Sequence, residues 1–181
     1  THGYLGGHTI EGAVVVPVVL VLEWFSRMAR AFRPDLKVES IDNLTVLNGV
    51  RLEHFKGVGE RLLLTAKQIS NGRGAVLGLE ATSPDGMVRY RAQAQMVEAR
   101  DPAPTTEIPA PAVKAWGKTP VYGKALFHTD DFQVIQHLDG VGNEGITGTL
   151  KGVQQAKWSW ESWNTDVAAL DGGLQMLLLC V

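Results

Sequence analysis

Two motifs at opposite ends of the chain combine residue types that exchange protons. His8, Gly12 and Pro17 form the pattern H-x-x-x-G-x-x-x-x-P, which runs into a strongly apolar stretch. Asp171 and Gln175 form D-x-x-x-Q, and a spacing of four residues places both side chains on one face of a helix. Each motif alone also has an ordinary structural explanation, because His8 fits a polar loop and Asp171 fits the start of a helix.

A buried helix and a sheet are predicted to follow His8. Proline is well tolerated at the first position of a helix, so a helix is predicted from Pro17 to about Phe32. Its apolar side chains cover most of its circumference, which indicates a helix surrounded by other structure. Four β-rich runs come next, with an SPDG turn between the last two: LKVESIDNLTVLNGVRL, ERLLLTAKQIS, GAVLGLEATS and MVRYRAQAQMV. Helix and strands together predict an antiparallel sheet curled around a helix.

The second half of the chain is predicted to contain strands followed by a helix. Residues 101–120 hold five of the eight prolines and are predicted to form a linker. VYGKALFH and FQVIQHL then resemble strands, followed by the glycine-rich GVGNEGITGTLKG. Thr165 or Asp166 is expected to cap an apolar helix near the end. We expect this second unit to be truncated, which would leave apolar side chains of residues 174–181 exposed.

Composition excludes several classes of function. The chain has 181 residues, is 45% hydrophobic and 20% charged, and is therefore typical of a soluble globular protein. Its net charge of −2 gives no electrostatic reason to expect nucleic acid or a membrane surface as a partner. Cys180 is the single cysteine, which excludes an intrachain disulfide and suits a reducing cytoplasm. No metal site is predicted, because the five histidines show no ligand spacing.

The motifs resemble those of dehydratase domains of polyketide synthases, and most closely those of bacterial polyunsaturated fatty acid synthases. YGKALFHTDDFQVI is similar to that family's Y-x-x-x-L-F-H-G-x-x-F-Q, and WNTDVAALDGGLQ to its W-x-x-D-x-x-x-L-D-G-x-L-Q. The four matches occur in the expected order over nearly the whole chain. The resemblance implies an α+β double hotdog, in which each repeat wraps a sheet around a long helix. The repeats would span residues 1–100 and 121–181, joined by the 101–120 linker, with the second truncated at its C-terminus.

The resemblance implies removal of water from a 3-hydroxyacyl thioester on an acyl carrier protein, giving the trans-2-enoyl product. His8 and Asp171 would be the base and the acid, contributed by different repeats to one tunnel. Elementary chemistry agrees, because histidine as a residue type accepts protons near neutral pH and burial keeps a carboxyl protonated. Gln175 would hold Asp171, and Gly12, just ahead of a helix N-terminus, would offer its N–H to the thioester oxygen. Pro17 and Tyr122 would be supporting or substrate-binding residues.

The same resemblance implies the partners of the protein. These are an acyl carrier protein and other domains of a cytoplasmic multienzyme synthase, with a homodimer also expected and no cofactor required. His128 is interpreted as structural, and the three tryptophans of WSWESW as packing residues. Gly172 and Gly173 are expected to allow a close approach, such as that of the substrate arm, since glycine inside a helix costs about 1 kcal/mol.

Two positions depart from the family pattern. Gly7 stands where the family usually has aspartate, and Thr129 where it usually has glycine. Such changes occur in inactive copies, so a catalytically silent scaffold is one alternative. A hotdog thioesterase, or a dehydratase that also isomerises the double bond, are the others. Retention of the two motifs favours the active dehydratase.

Overall fold

The computed structural model describes residues 2–71, 74–99, 109–117, 119–158 and 162–180. Their contacts divide the chain into two units, one formed by Thr1–Val19 with Pro104–Val181 and the other by Leu20–Ala103. The helices and strands, in chain order, are β1 (Thr9–Ile10), β2 (Ala13–Val14), α1 (Val18–Phe32), β3 (Lys37–Val46), β4 (Leu63–Asn71), β5 (Gly74–Thr82), β6 (Val88–Val97), β7 (Lys114–Ala115), β8 (Ile135–Gly142), β9 (Gly145–Leu150) and α2 (Val167–Leu177). Short 3-10 turns occupy Gly3–Gly7, Asp130–Phe132 and Leu178–Cys180.

The unit formed by Leu20–Ala103 contains most of α1 and an antiparallel four-stranded sheet in the order β3-β6-β5-β4. Alternate residues of β5 and β6 are buried, as expected for a sheet with one face turned to a core. The predicted helix and all four predicted strands are confirmed. The SPDG turn is also confirmed, with the N–H of Gly86 donating to the carbonyl of Ser83 over 2.9 Å.

The other unit contains the three-stranded antiparallel sheet β7-β8-β9, helix α2 and the β1–β2 hairpin. One buried apolar cluster of the described residues in this unit contains Leu126, Ile135, Leu138 and Met176. Asp166 caps α2 as predicted, because its Oδ1 accepts a hydrogen bond from the N–H of Ala169 over 3.0 Å. Three leucines at the C-terminal end of α2 and directly after it are exposed, as predicted for residues 174–181: Leu174, Leu177 and Leu178.

Two sequence-based expectations about this unit need correction. VYGKALFH is not a strand: the N–H of Leu126 donates to the carbonyl of Val121 over 3.1 Å, closing a turn with one isolated bridge. Its apolar alternation imitates a strand pattern, but Gly123 adopts a φ of 81° that bends the chain. Part of the predicted linker forms β7, which pairs with β8, whereas residues 100–108 lie outside the described residues. The repeat boundaries stay a prediction.

None of the helices in the described part of the chain is long and apolar enough to cross a membrane.

Candidate active site

His8 is held between a 3-10 turn and the β1–β2 hairpin. Its N–H donates to the carbonyl of Leu5 over 2.9 Å, and its own carbonyl accepts from the N–H of Val15 over 3.0 Å. The ring adds a third contact, since Nδ1 lies 2.9 Å from the carbonyl oxygen of Val15. A carbonyl only accepts hydrogen bonds, so Nδ1 carries the hydrogen and Nε2 keeps its lone pair. His8 is therefore fixed in the tautomer that accepts a proton at Nε2.

The segment that carries His8 packs closely against the 3-10 turn Asp130–Phe132. The N–H of Thr129 donates to the carbonyl of Gly7 over 3.0 Å. A Cβ at Gly7 would overlap the carbonyl oxygen of Thr129 and come 3.2 Å from the Cβ of Phe132. The two departures from the family pattern, Gly7 and Thr129, thus contact each other. An aspartate at position 7 does not fit this arrangement, which explains the glycine there. The contacts of Thr129 are made by its backbone and do not depend on its side chain.

Aromatic rings surround the His8 imidazole. The centroid of the Phe132 ring lies 5.2 Å from that of His8, and those of Phe127 and His128 lie 5.4 Å away. Phe132 is fully buried and also packs on Trp158, with 4.3 Å between ring centroids. The His8 imidazole therefore lies beside an apolar aromatic wall.

Asp171 and Gln175 lie one turn apart on α2, as predicted, and are 4% and 1% exposed. Gln175 Nε2 donates to Asp171 Oδ2 over 2.7 Å and to the carbonyl oxygen of Phe132 over 2.8 Å. Both amide hydrogens are therefore used, and the Gln175 side chain is fixed at both ends. Phe132 joins the two motifs, because its ring contacts His8 and its carbonyl binds the residue that holds Asp171.

Tyr122 supports Gln175 from the other side. Its hydroxyl accepts from the N–H of Ile135 over 2.7 Å and donates to Gln175 Oε1 over 2.8 Å. Burial raises the pKa of Tyr122 to about 12, so the hydroxyl keeps its hydrogen. The network begins at a backbone N–H, which only donates, so every bond in it has a fixed direction. Tyr122 thus fixes the position of Gln175, and its hydroxyl hydrogen is used in that bond.

Burial raises the pKa of the Asp171 carboxyl above its usual range. The hydrogen bond from Gln175 and the charge of His8 act in the opposite direction, but the desolvation of the charged form is larger. The structure thus brings His8, Asp171, Gln175 and Tyr122 into one site, with a base and a buried carboxyl that influence each other electrostatically.

Within the described residues, the other two residues of the His8 motif, Gly12 and Pro17, form no hydrogen bond with the side chains of the site. Glu11 and Gly12 have φ values of 50° and 80° and form the two-residue loop between β1 and β2, which is a type I′ turn. Gly12 is therefore at an exposed hairpin tip, and the expectation that it directly precedes a helix N-terminus is wrong. Pro17 is buried and directly precedes Val18, the first residue of α1.

The remaining predictions have mixed outcomes. Trp158 packs as predicted, fully buried and stacked 4.9 Å from Tyr4, whereas Trp160 lies outside the described residues. A Cβ at Gly172 would lie 2.9 Å from Leu150, so the close approach there is that of β9. Sequence reasoning missed Phe132, because the contact of its backbone carbonyl does not depend on the type of residue at that position. The only sequence signal for Phe132 was the F-Q match in YGKALFHTDDFQVI.

No protein-family model and no curated protein matches the chain. Solved structures do, among them a bifunctional dehydratase-cyclase domain in ambruticin biosynthesis, with a TM-score of 0.67 at 18% identity over 97% of this chain and 63% of that one. A dehydratase domain of the curacin polyketide synthase has a TM-score of 0.65 at 14% identity over 99% and 66% of the two chains. An inactive aspartate-to-asparagine mutant of a second curacin dehydratase has 0.64 at 14% identity over 96% and 62%.

The chain spans between 62% and 66% of the length of these structures. The likeness covers the elements that carry both motifs. The chain therefore has the hotdog-type fold of polyketide synthase dehydratase domains, as its motifs predicted.

Proposed function

We propose that the protein removes water from a 3-hydroxyacyl thioester to give a trans-2-enoyl thioester. The observation that carries the proposal is the pairing of a proton acceptor with a proton donor. His8 keeps a free lone pair on Nε2, and Asp171 is a buried carboxyl with a raised pKa. Dehydration requires these two groups together, because the C2 proton is removed by a base and hydroxide leaves only when an acid protonates it.

The reaction balances with these residues alone. His8 Nε2 takes the C2 proton, and the electrons of the C–H bond form the C2=C3 double bond. The C3–O bond breaks as Asp171 protonates the hydroxyl, which leaves as water. His8 is then protonated and Asp171 is ionised, so transfer of one proton from His8 to Asp171 restores the starting state. Only protons move and one C–O bond breaks, so we expect no cofactor.

The hydrogen bonds of Asp171 indicate which oxygen acts as the acid. Oδ2 accepts from Gln175, so the proton of the neutral carboxyl is carried by Oδ1 and is free for the substrate. A similar solved structure is described as an inactive mutant with asparagine in place of aspartate. That description supports a catalytic aspartate in the fold, and we propose Asp171 for this role here.

The alternatives fit the site less well. A thioesterase needs an ionised carboxylate to activate water, but burial favours the neutral form of Asp171. A silent scaffold was suggested by Gly7 and Thr129, yet these two residues form one close contact beside His8. The absence of a side chain at Gly7 therefore has a packing explanation that does not require loss of activity.

The finer parts of the proposal come from the family that the motifs resemble. The substrate would be carried by an acyl carrier protein in a cytoplasmic polyketide or polyunsaturated fatty acid synthase, next to other domains of that multienzyme. A homodimer would be the working form.

The test is to incubate the purified chain with a 3-hydroxyacyl pantetheine thioester and to follow the products by mass spectrometry. We expect loss of one water in the wild type and no conversion in His8→Ala and Asp171→Asn. His137→Ala is the matched control, because this exposed histidine pairs only with Asp139 among the contacts of the described residues. Release of the free acid would indicate a thioesterase, and a folded wild type that leaves the thioester intact would overturn the proposal.

A further inference from the structure

His128 lies next to the proposed base and is almost completely buried. It is 3% exposed, and its ring stacks on Phe127 with 4.0 Å between centroids and an interplanar angle of 25°. The His8 ring lies 5.4 Å away, and the Phe132 ring lies 6.3 Å away in a nearly parallel orientation. The His128 imidazole thus forms part of the aromatic wall beside the atom that takes the proton.

The Nδ1 atom of His128 is buried without a hydrogen-bond partner among the described residues. Buried polar atoms are nearly always hydrogen-bonded, and leaving one unpaired costs about 1–3 kcal/mol. A phenylalanine would form the same stack on Phe127 without this cost. The polar atom is therefore a stability liability beside the site, which points to a partner that arrives with the ligand.

The ring of His128 is uncharged at neutral pH. Burial, and after it the charge of His8, lower the pKa of His128 to about 4. One nitrogen of a neutral imidazole carries a hydrogen, and the other accepts. A neutral imidazole N–H is able to polarise a carbonyl without adding a charge next to the base.

We propose that His128 binds the thioester carbonyl oxygen of the substrate through its Nδ1–H, next to the C2 proton that His8 removes. This inference rests on the proposed function, and it assigns the donor that an enolate-like transition state requires at that oxygen. C2 is bonded directly to the carbonyl carbon, so a residue beside the proposed base is close to the carbonyl oxygen of a bound thioester. Gly12 was the expected donor because a helix N-terminus was predicted just after it. It lies instead at the exposed tip of the β1–β2 hairpin, and α1 begins only at Val18.

Substitutions at position 128 separate this role from a structural one. His128→Phe keeps the stack on Phe127 and removes the unpaired nitrogen, so we expect a melting temperature equal to or above that of the wild type. We expect its kcat to fall by a factor of about 10² or more, as for loss of one oxyanion donor. His128→Asn keeps an N–H near the position of Nδ1 and is expected to retain more of the activity than His128→Phe. His137→Phe, at an exposed histidine, is the control and should change neither value.

A binding experiment tests the contact without turnover. A saturated acyl pantetheine thioester keeps the carbonyl and lacks the 3-hydroxyl, so it binds without being dehydrated. We expect the ¹⁵N resonance of His128 Nδ1 to shift when this probe is added. A probe that binds without moving that resonance, or a His128→Phe variant as active as the wild type, would overturn the inference. A wild type that binds the probe through His128 but dehydrates nothing would instead contradict the proposed function.

Discussion

Gln175 Nε2 donates a hydrogen bond to Asp171 Oδ2 over 2.7 Å, one turn apart on the same helix. The amide is held in turn by the carbonyl of Phe132 and by the hydroxyl of Tyr122. Two other segments of the chain thus fix the amide that binds the Asp171 carboxyl, which is the arrangement expected when an acid must be held in a fixed orientation. The D-x-x-x-Q spacing consequently orients Asp171 only in combination with the turn that carries Tyr122 and the 3-10 turn that carries Phe132.

Tyr122→Phe tests whether this support matters for catalysis. The variant leaves Gln175 Oε1 and the N–H of Ile135 without their shared partner, so we expect a loss of about 1–3 kcal/mol in unfolding free energy and a lower kcat. Tyr90→Phe is the matched control, because the buried Tyr90 hydroxyl accepts from the N–H of Val50 in the other unit. Urea denaturation and turnover should show that both variants are destabilised but only Tyr122→Phe is slowed. Equal kcat values in the two variants would contradict a role for Tyr122 in positioning the acid.

Periodicity was sufficient to predict α1, the strands β3 to β6 and the Asp166 cap, because these elements are long or have a specific capping side chain. It could not reveal the β1–β2 hairpin, whose two-residue strands are shorter than any pattern. It also mistook the Val121–Leu126 turn for a strand, since the turn has a similar apolar alternation. The two sequence motifs were sufficient to identify His8 and Asp171 as candidate site residues. The contact that joins them, the carbonyl of Phe132, depends on backbone position and not on side-chain identity.

Asp171→Asn should change the pH dependence of stability. The folded-state pKa of Asp171 is raised above 3.8, so the folded protein binds more protons than the unfolded chain in the pH range between the two values. The stabilisation by Asp171 is complete below 3.8, and the unfolding free energy of the wild type falls as pH rises through the folded-state pKa. We expect the stability of Asp171→Asn relative to wild type to increase with pH over the same range.

Urea denaturation of both proteins between pH 4 and 9 measures this difference. Glu144→Gln, at an exposed carboxylate, is the control and should parallel the wild type. A difference between Asp171→Asn and wild type that stays constant with pH would show that the Asp171 carboxyl is ordinary in the folded protein.

Gly7→Ala tests the close packing that replaces the family's aspartate. The added Cβ would overlap the carbonyl of Thr129 and force the 3-10 turn at Asp130–Phe132 away from the His8 segment. We expect a loss of about 1–3 kcal/mol in unfolding free energy and a fall in kcat, because Phe132 contacts both His8 and Gln175. Gly3→Ala is the control, since a Cβ there meets nothing within 4 Å. A Gly7→Ala variant that is as stable and active as Gly3→Ala would refute the importance of this contact.

The neighbouring glycines of α2 provide a matched pair. A Cβ at Gly172 would lie 2.9 Å from Leu150 and 3.2 Å from Val134, whereas a Cβ at Gly173 meets nothing within 4 Å. We therefore expect Gly172→Ala to be destabilised by about 1–3 kcal/mol through overpacking. Gly173→Ala should gain up to about 1 kcal/mol from helix propensity. Thermal denaturation measures both effects.

Turnover kinetics then test whether the open space at Gly173 accommodates the substrate arm. If the substrate arm passes over Gly173, the stabilised Gly173→Ala variant should show a higher KM than the wild type, because the added methyl group narrows the path. Leu174→Ala, at an exposed residue on the next position of the helix, is the control for changes on α2 that leave this path open. A Gly173→Ala variant with increased stability and an unchanged KM would show that the arm takes another route, and that the glycine costs stability without a role in binding.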